Sequence, residues 1–277
     1  MSFGPAVNSA SVQAMSKRIG WRVMQTILSF LSGLAMMAIV FVDSASAQDL
    51  QIYGPGGPEP AIREAARQFG DARGIKIGVT AGPTDKWLNA AKVDADLIYS
   101  GSETMMTDFV DAMGGELVAA TVTPLYLRAS AILVRPGNPR HIRGFSDLLA
   151  PGVKILIVNG AGQNGLWEDI AGRKGSIETV KALRANIVSY AKTSADARQT
   201  WVDDRSIDVW LTWTIWQGDD PGLAEIVPIE PDMRIFRDAG VALTRRGQSK
   251  TSARDFVQFL ASPVGATIFQ KRGWITQ

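Results

Sequence analysis

The chain has 277 residues, of which 46% are hydrophobic; 29 are lysine or arginine, 27 are aspartate or glutamate, one is histidine and none is cysteine. This length allows one large domain or two lobes. Without cysteine, and with a single histidine, the chain lacks disulfides, thiolate metal sites and Ser-His or Cys-His pairs, so we expect no enzyme, no metal and no cofactor.

Residues 1–47 have the order of a secretory signal peptide. Basic residues precede the apolar run 27–42, and Ala45, Ser46 and Ala47 form a small-x-small cleavage pattern. The run has 16 residues, fewer than the roughly 20 that span a bilayer. We therefore predict a periplasmic protein whose signal peptide is cleaved near Ala47.

Removal of this segment takes three basic residues and one acidic residue from the chain, so the mature protein is formally neutral. No basic run indicates a nucleic-acid partner. The remaining residues 48–277 are numerous enough to bury a core without cross-links.

Strand and helix patterns alternate in the first part of the mature chain. In residues 59–73, Ile62, Ala65, Ala66 and Phe69 follow the spacing of one helix face. The set comprises strands 50–53, 75–80 and 96–99, helices 59–73 and 84–92 (capped by Thr84), and a helix ending near Met113. Such alternation predicts a parallel sheet with helices on both faces.

Long extended stretches at 121–134 and 234–244 separate this set from a second one. The second set comprises a short helix capped by Ser146, strands 154–158, 187–190 and 208–212, and helices 166–173, 176–185 and 195–203. Helices 251–260 and 264–271 end the chain. We predict two lobes joined by two hinge strands, with residues 48–127 and 240–277 in lobe 1 and residues 128–239 in lobe 2.

A glycine-rich turn follows the first strand. Gly54, Gly56 and Gly57 permit positive φ angles and close backbone approach, and Pro58 and Pro60 suit the first turn of a helix. The turn leaves N–H groups at the positive end of that helix, where an anion binds well. A tight turn without a ligand is the alternative.

Two further helix entrances are polar. Ser100, Gly101 and Ser102 follow a strand, and ligands of parallel sheets bind at the carboxyl ends of strands. Thr193 and Ser194 precede a helix of the second set, where ordinary N-capping is the alternative to ligand binding.

A formal G-x-G-x-x-G is present at Gly160, Gly162 and Gly165. A dinucleotide site needs an acidic residue at the end of the next strand, and that strand runs to Lys192 without one. Binding of an anion at the helix N-terminus and a plain turn stay open for this loop.

Arg128 is a charged residue in an otherwise uncharged strand. Arginine binds carboxylate or phosphate through two parallel hydrogen bonds, and a salt bridge or an exposed position is the alternative. Near Thr212, the pattern favours core packing for Trp210 and Trp216 and a cleft wall for Trp213.

Several motifs together resemble the accessory colonization factor C family of periplasmic solute-binding proteins, within the ABC-transporter group that includes sulfate and molybdate binders. The motifs are Tyr53-Gly-Pro-Gly-Gly-Pro58, Gly137-Asn-Pro139 with Ile142, Gly144 and Asp147-Leu148, Gly160-Ala-Gly162, Gly165-x-Trp167-Glu-Asp169 and Asp208-x-Trp210-x-Thr212-Trp213. The likeness covers residues 49–274.

The resemblance implies an α/β fold of the type II periplasmic binding protein class, in which each lobe is a mostly parallel sheet flanked by helices. It also implies that a small anion is clamped between the lobes. The implied contacts are Gly57, Ser100, Gly101, Ser102, Arg128, Gly162, Gln163, Asn164, Gly165, Thr193, Ser194 and Thr212, beside the Trp213 wall. Relatives have a longer Ser/Thr/Asn-rich loop where this chain has Gln163 and Asn164, which leaves the identity of the anion open.

We therefore expect a periplasmic binding protein that captures a sulfate-like oxyanion or a small phosphorylated or carboxylated acid for the permease of an ABC transporter. The alternative is an envelope adhesin that uses the same fold for interaction. A stable homodimer whose concave site is empty of ligand after purification would favour the adhesin.

Overall fold

The computed structural model describes Met1 and residues 49–160 and 162–276. The predicted signal segment and its cleavage site near Ala47 lie outside the described residues. Contacts between Cα atoms group Gln48–Gln277 into one unit. No helix in the described ranges is long and apolar enough to cross a membrane.

The first half of the chain alternates strands and helices as predicted. In chain order its elements are β1 (Leu50–Gly54), α1 (Glu59–Arg73), β2 (Ile77–Ala81), α2 (Thr84–Asp94), β3 (Leu97–Tyr99), α3 (Glu103–Ala112), a 3-10 helix (Ala119–Thr121) and the long strand β4 (Thr123–Val134).

The second half opens with another 3-10 helix, Phe145–Leu149. The elements that follow are β5 (Ile155–Val158), α4 (Leu166–Ala171), α5 (Ile177–Asn186), β6 (Ile187–Ala191), α6 (Ser194–Asp203), β7 (Val209–Trp213), α7 (Ile215–Asp219), β8 (Glu225–Pro228), β9 (Phe236–Leu243), α8 (Arg245–Gln248), α9 (Thr251–Leu260) and α10 (Pro263–Gln270).

The strands form one sheet in the order β2-β1-β3-β9-β4-β7-β5-β6, with β8 on β4. β1 is parallel to β2 and β3, and β5 is parallel to β6 and β7. The antiparallel strands β9 and β4 lie between these two parallel sets. We call β2, β1, β3 and β9 the first half-sheet and the remaining strands the second half-sheet. The mixed α/β fold with largely parallel halves is confirmed.

The two half-sheets meet at the pair formed by β4 and β9. Their register runs from Thr123 opposite Val241 to Ala129 opposite Phe236, with one irregularity after Pro124. Beyond Ala129, β4 continues into the second half-sheet and pairs with β7 and β8. These are the two long extended stretches of the sequence. The lobe boundaries at 127/128 and 239/240 stay a prediction.

The periodic pattern of apolar residues predicted helix α1 and its buried face correctly. Its predicted face is buried, and it ends at Gly74 in a left-handed conformation with φ 64°. The Phe69 ring lies 5.3 Å from that of Phe256 in α9. The C-terminal helices therefore pack on the first half-sheet, on which the chain began.

Local capping differs from the expectation at two places. Thr84 is the first helical residue after Pro83 and does not cap α2. Ser146 lies inside the 3-10 helix that follows Gly144. Four short elements were not predicted: the 3-10 helix Ala119–Thr121, α7, β8 and α8. β8 ends in Pro228 and pairs only with β4, so its sequence carries little strand signal.

Asp96 ties the first half-sheet to the C-terminal segment. Its side chain is fully buried, and Oδ2 accepts hydrogen bonds from the Gln51 amide and from Lys250 Nζ, both at 2.9 Å. Arg246 Nε lies 3.1 Å from Oδ1. One carboxylate thus holds β1 against the segment that contains α8 and α9.

We expect Asp96→Asn to lower the free energy of unfolding by about 1.5–3 kcal/mol, the range for hydrogen bonds to charged groups. Urea denaturation measures the change. Asp71→Asn is the control, because the ion pair of Asp71 with Arg67 is exposed and contributes less than about 1 kcal/mol. Equal losses in the two variants would contradict the role of Asp96.

Candidate functional site

A cavity of about 220 Å³ lies where the turns after β1 and β3 face the start of α6. Arg128 of β4 also lines it. From the first part of the chain come Pro55, Gly56, Gly57, Pro58, Glu59, Gly82, Pro83, Gly101 and Met105; from the second part come Thr193, Ser194, Ala195, Arg198 and Trp216. The cavity therefore lies at the carboxyl ends of strands and is lined from both parts of the mature chain, as type II binding proteins require.

Arg128 lies in β4, one of the two strands at which the half-sheets meet, and its side chain lines this cavity. The residue is only 4% exposed. Its Nη2 donates a hydrogen bond to the carbonyl oxygen of Gly101, and the guanidinium carbon lies 4.5 Å from the centre of the Trp213 ring and 5.7 Å from that of Trp274. These contacts hold the guanidinium in place.

Arg128 has no ion-pair partner among the described residues. No carboxylate of a described residue lies within 4.0 Å of it, and its Nε has no hydrogen-bond partner. Burial lowers the pKa of Arg128 to about 9, with Asp238 opposing and Arg237 adding to the shift. The guanidinium is still protonated at neutral pH. A buried charge without a direct ion-pair partner is costly, so the site favours an anion.

Two glycines allow the backbone to approach the guanidinium. A methyl group on Gly57 would lie 3.1 Å from Arg128 Nη1, and one on Gly101 would lie 3.2 Å from Nη2. Of the two roles offered for Gly54, Gly56 and Gly57, close approach is observed at Gly54 and Gly57, whereas none of the three has a positive φ angle. Close approach, rather than backbone conformation, explains Gly57.

Helix α6 begins with a capping box. Thr193 Oγ1 accepts from the Asp196 amide at 3.1 Å, and the Thr193 amide donates to Asp196 Oδ2 at 3.2 Å. The capping alternative is therefore confirmed for Thr193. Ser194 has a different partner, because its Oγ accepts from Gln163 Nε2 at 2.7 Å.

The turn after β3 supplies its glycine to the cavity, and the buried hydroxyl of Ser100 has no hydrogen-bond partner among the described residues. Ser102 caps α3, and its Oγ accepts from the Met105 amide at 3.2 Å. Ser100 is fully buried and donates its amide to the Gly240 carbonyl at 2.8 Å. Neither serine lines the cavity.

The loop before α4 lies beside the cavity. Gly162, at φ 74°, is so close to α3 that a methyl group on it would lie 2.8 Å from Met105 Cε and 3.2 Å from Ser102 Oγ. Gln163 is buried. Asn164 is exposed, and Gly165 precedes the six-residue helix α4. None of these four loop residues lines the cavity.

Thr212 and Trp213 lie behind the cavity. Both are fully buried, and Thr212 Oγ1 donates to Gln163 Oε1 at 3.2 Å. Of the predicted contact residues, the structure brings together five as lining: Gly57, Gly101, Arg128, Thr193 and Ser194. Ligand contact by any of the predicted residues stays a prediction.

Ten lining residues were not among the predicted contacts, and Arg198, Met105 and Trp216 are three of them. Arg198 lies four residues after Ser194, a spacing that places both on one helix face and that was available in the sequence. Met105 carries no such signal. Trp216, expected in the core, lies 5.7 Å from Trp210 and also lines the cavity. Core packing is confirmed for Trp210, which is fully buried.

Metal binding has no support in the part of the chain that the structure describes. Those residues contain no group of three or more histidine, aspartate or glutamate side chains that could hold an ion. The cavity combines the buried cation Arg128, backbone amides near helix starts and the apolar groups of Met105 and Trp216. Its other charged lining residues, Glu59 and Arg198, are paired with Arg63 and Asp220. This chemistry suits a small anion that carries an organic part.

Two buried arginines give a test of the uncompensated charge. Arg128→Met should raise the free energy of unfolding of the ligand-free protein by about 1–4 kcal/mol, because an apolar side chain replaces a buried charge. Chemical denaturation measures the change.

Arg135→Met is the matched control. Arg135 is also buried but donates to the carbonyls of Trp201, Asp204 and Ile207 at 2.7–2.8 Å. Its replacement leaves these carbonyls unpaired and should destabilise the protein by at least about 1–3 kcal/mol. A loss of stability in both variants would show that the charge of Arg128 is compensated.

Comparison with known proteins agrees with this geometry. The family model described as bacterial extracellular solute-binding protein matches residues 50–275. The sulfate-binding proteins of Salmonella typhimurium and Escherichia coli are 24% and 22% identical over 165 residues. These alignments cover 53% of this chain and 50% of either relative, so the chain matches half the length of these relatives.

Solved structures are similar to this chain over a larger share of its length. PEB3 with L-phospholactate bound has a TM-score of 0.78 and 32% identity, covering 83% of this chain and 100% of that one. PEB3 from Campylobacter jejuni has a TM-score of 0.76 and 32% identity, with the same coverage of both chains. The sulfate-binding protein SubI from Mycobacterium tuberculosis, at 18% identity and TM-score 0.66, covers 81% of this chain and 85% of its own and supports the fold. The chain belongs to the bacterial extracellular solute-binding protein family.

Proposed function

We propose that this protein captures a small anion in the cavity beside Arg128 and delivers it to an ABC transporter. The observation that carries the proposal is the buried guanidinium, which is held by Gly101 and Trp213 and has no carboxylate partner among the described residues. An anion in the cavity supplies the missing counter-charge. Charge-assisted hydrogen bonds from arginine are among the strongest in proteins.

A small phosphorylated or carboxylated acid fits the cavity better than a bare inorganic oxyanion. The volume of about 220 Å³ is below the roughly 300–1,000 Å³ of pockets for drug-sized ligands, so the ligand is small. Met105 and Trp216 provide apolar surface that an inorganic ion leaves uncovered. PEB3, which is similar over most of this chain, has been solved with L-phospholactate, and this supports the same class here.

Residues from both half-sheets contact the same cavity, which supports a binding cycle driven by the ligand. An anion that touches Gly57 and Gly101 on one side and Ser194 on the other stabilises the arrangement in which these groups are close together. A ligand shifts a conformational equilibrium only through such differential contacts. The permease then distinguishes the loaded protein by its shape.

The family description supports export, and we propose the periplasm as the location, with the signal peptide cleaved near Ala47. The adhesin alternative and a homodimer remain hypotheses from the sequence. No contact of the described residues favours the adhesin over the transport role, and the binding test below separates the two.

A thermal-shift screen followed by calorimetry should use sulfate, phosphate, L-phospholactate, phosphoglycerate and citrate. A true ligand at 100 times its Kd stabilises the protein by about 2.7 kcal/mol. We expect an organic phosphate or carboxylate to give the largest shift, and Arg128→Ala to weaken its binding at least about 30-fold, because a buried charge pair loses one partner.

Arg184→Ala is the control, because Arg184 is an exposed arginine of α5 that does not line the cavity. Its affinity should match that of the unaltered protein. Absence of binding to the whole panel would reject anion capture and favour the adhesin hypothesis. Binding that survives in Arg128→Ala would place the ligand elsewhere.

A further inference from the structure

Gln163 is a buried amide that joins two hydroxyl groups of the second half-sheet and its helices. The residue is 2% exposed. Its Oε1 accepts from Thr212 Oγ1 at 3.2 Å, and its Nε2 donates to Ser194 Oγ at 2.7 Å. Thr212 is fully buried in β7. The amide is therefore anchored on the sheet at one end and reaches the cavity lining at the other.

The hydroxyl of Ser194 is not needed by its own helix. Thr193 and Asp196 form the capping box of α6, so the cap does not use the hydroxyl of Ser194. Ser194 Oγ accepts from Gln163, which uses one of its lone pairs. A serine hydroxyl has one hydrogen to donate, so that hydrogen remains available on the side where Ser194 lines the cavity.

The same loop touches the opposite side of the cavity. Gly162, the neighbour of Gln163, lies against Met105 and Ser102 of the first part of the chain. A side chain at Gly162 would collide with Met105, and its φ of 74° also disfavours one. Because Gly162 and Gln163 are neighbours, the position of Gln163 depends on how closely this loop approaches α3.

We propose that Gln163 is a positioning residue for the anion site: it fixes the Ser194 hydroxyl so that its hydrogen points to the bound anion. This inference rests on the proposed function and adds a neutral hydrogen-bond donor on the side of the cavity that faces Arg128. The anchor at Thr212 prevents the amide from turning away. Approach of the Gly162 loop to α3 then brings this donor to the ligand together with the guanidinium.

The proposal differs from a purely structural role for a buried glutamine. A structural glutamine affects stability, and its removal changes affinity independently of Ser194. A positioning glutamine acts through Ser194, so its effect disappears once the hydroxyl is removed. Double-mutant cycles measure this dependence directly.

The test ligands are L-phospholactate and inorganic phosphate, and the measurement is calorimetric Kd. We expect Ser194→Ala to weaken binding about 10-fold, in line with one hydrogen bond to a charged group, and Gln163→Leu to weaken it about 5-fold. The double variant should bind as Ser194→Ala does. Equal affinity of Gln163→Leu and the unaltered protein, or additive losses in the double variant, would overturn the proposal.

Gln163→Glu gives a second test that does not depend on removing the side chain. A carboxylate accepts the Ser194 hydrogen instead of donating to its oxygen, so the hydroxyl turns away from the ligand. Its charge also repels the anion. We expect a loss of affinity about 10-fold greater than that of Gln163→Leu, and an equal or smaller loss would contradict the assigned direction of the hydrogen bond.

Asn186→Leu controls for the removal of a buried amide. Asn186 donates to the carbonyls of Leu148 and Ala150 and does not line the cavity, so its replacement should lower the melting temperature without changing Kd. Binding of neither test ligand by the unaltered protein would overturn the proposed site and this inference together. Binding by the unaltered protein with the same Kd in every Gln163 variant would overturn this inference alone.

Discussion

The structure depends on one electrostatic constraint, a buried positive charge at the pair of strands that joins the two half-sheets. Arg128 is held by a carbonyl and by aromatic rings, which fix its position without neutralising it. Such a group keeps its charge and lowers the stability of the empty protein. The surrounding features follow from this, because glycines at 57 and 101 give space for the guanidinium and helix starts add partial positive charge nearby.

In a protein that binds an anion by this means, the buried charge lowers the stability of the ligand-free state and raises the affinity for the anion. Arg135 shows the other solution for a buried arginine, with a carbonyl for each of three nitrogen atoms and a Trp201 ring at 3.5 Å. The two residues share burial and aromatic stacking and differ in the number of acceptors. This difference separates an arginine that stabilises the fold from one that is available to a ligand.

The sequence predicted the elements whose signals are local. The face of α1 follows its 3.6-residue period, and the hinge strands follow from long β-rich stretches with few interruptions. β8 could not be found in this way, because a four-residue strand that ends in proline depends on its pairing with β4. For Gly57, close approach was one of the two reasons offered from the sequence, and the group that approaches is the guanidinium of Arg128.

The site was predicted only in part, and the division has a physical cause. Turns at the carboxyl ends of strands fall on one edge of a parallel sheet, so Gly57, Gly101 and Ser194 were found from order alone. Met105 and Trp216 lie in helices, and whether such side chains face a cavity or the core is set by how whole elements pack. The hydrogen bonds of Gln163 likewise span 31 and 49 positions along the chain, beyond any local pattern.

The path of the chain has a consequence for its synthesis. β9 inserts between β3 and β4, and α9 and α10 pack on α1. The first half-sheet therefore lacks a strand and part of its covering until β9, α9 and α10 have been synthesised. The segment from β4 to β8 is continuous and has its own strand pairs. During synthesis from the N-terminus, the segment from β4 to β8 is the first to have all its own strand partners. The second half-sheet can therefore fold before the first one, although the first is translated earlier.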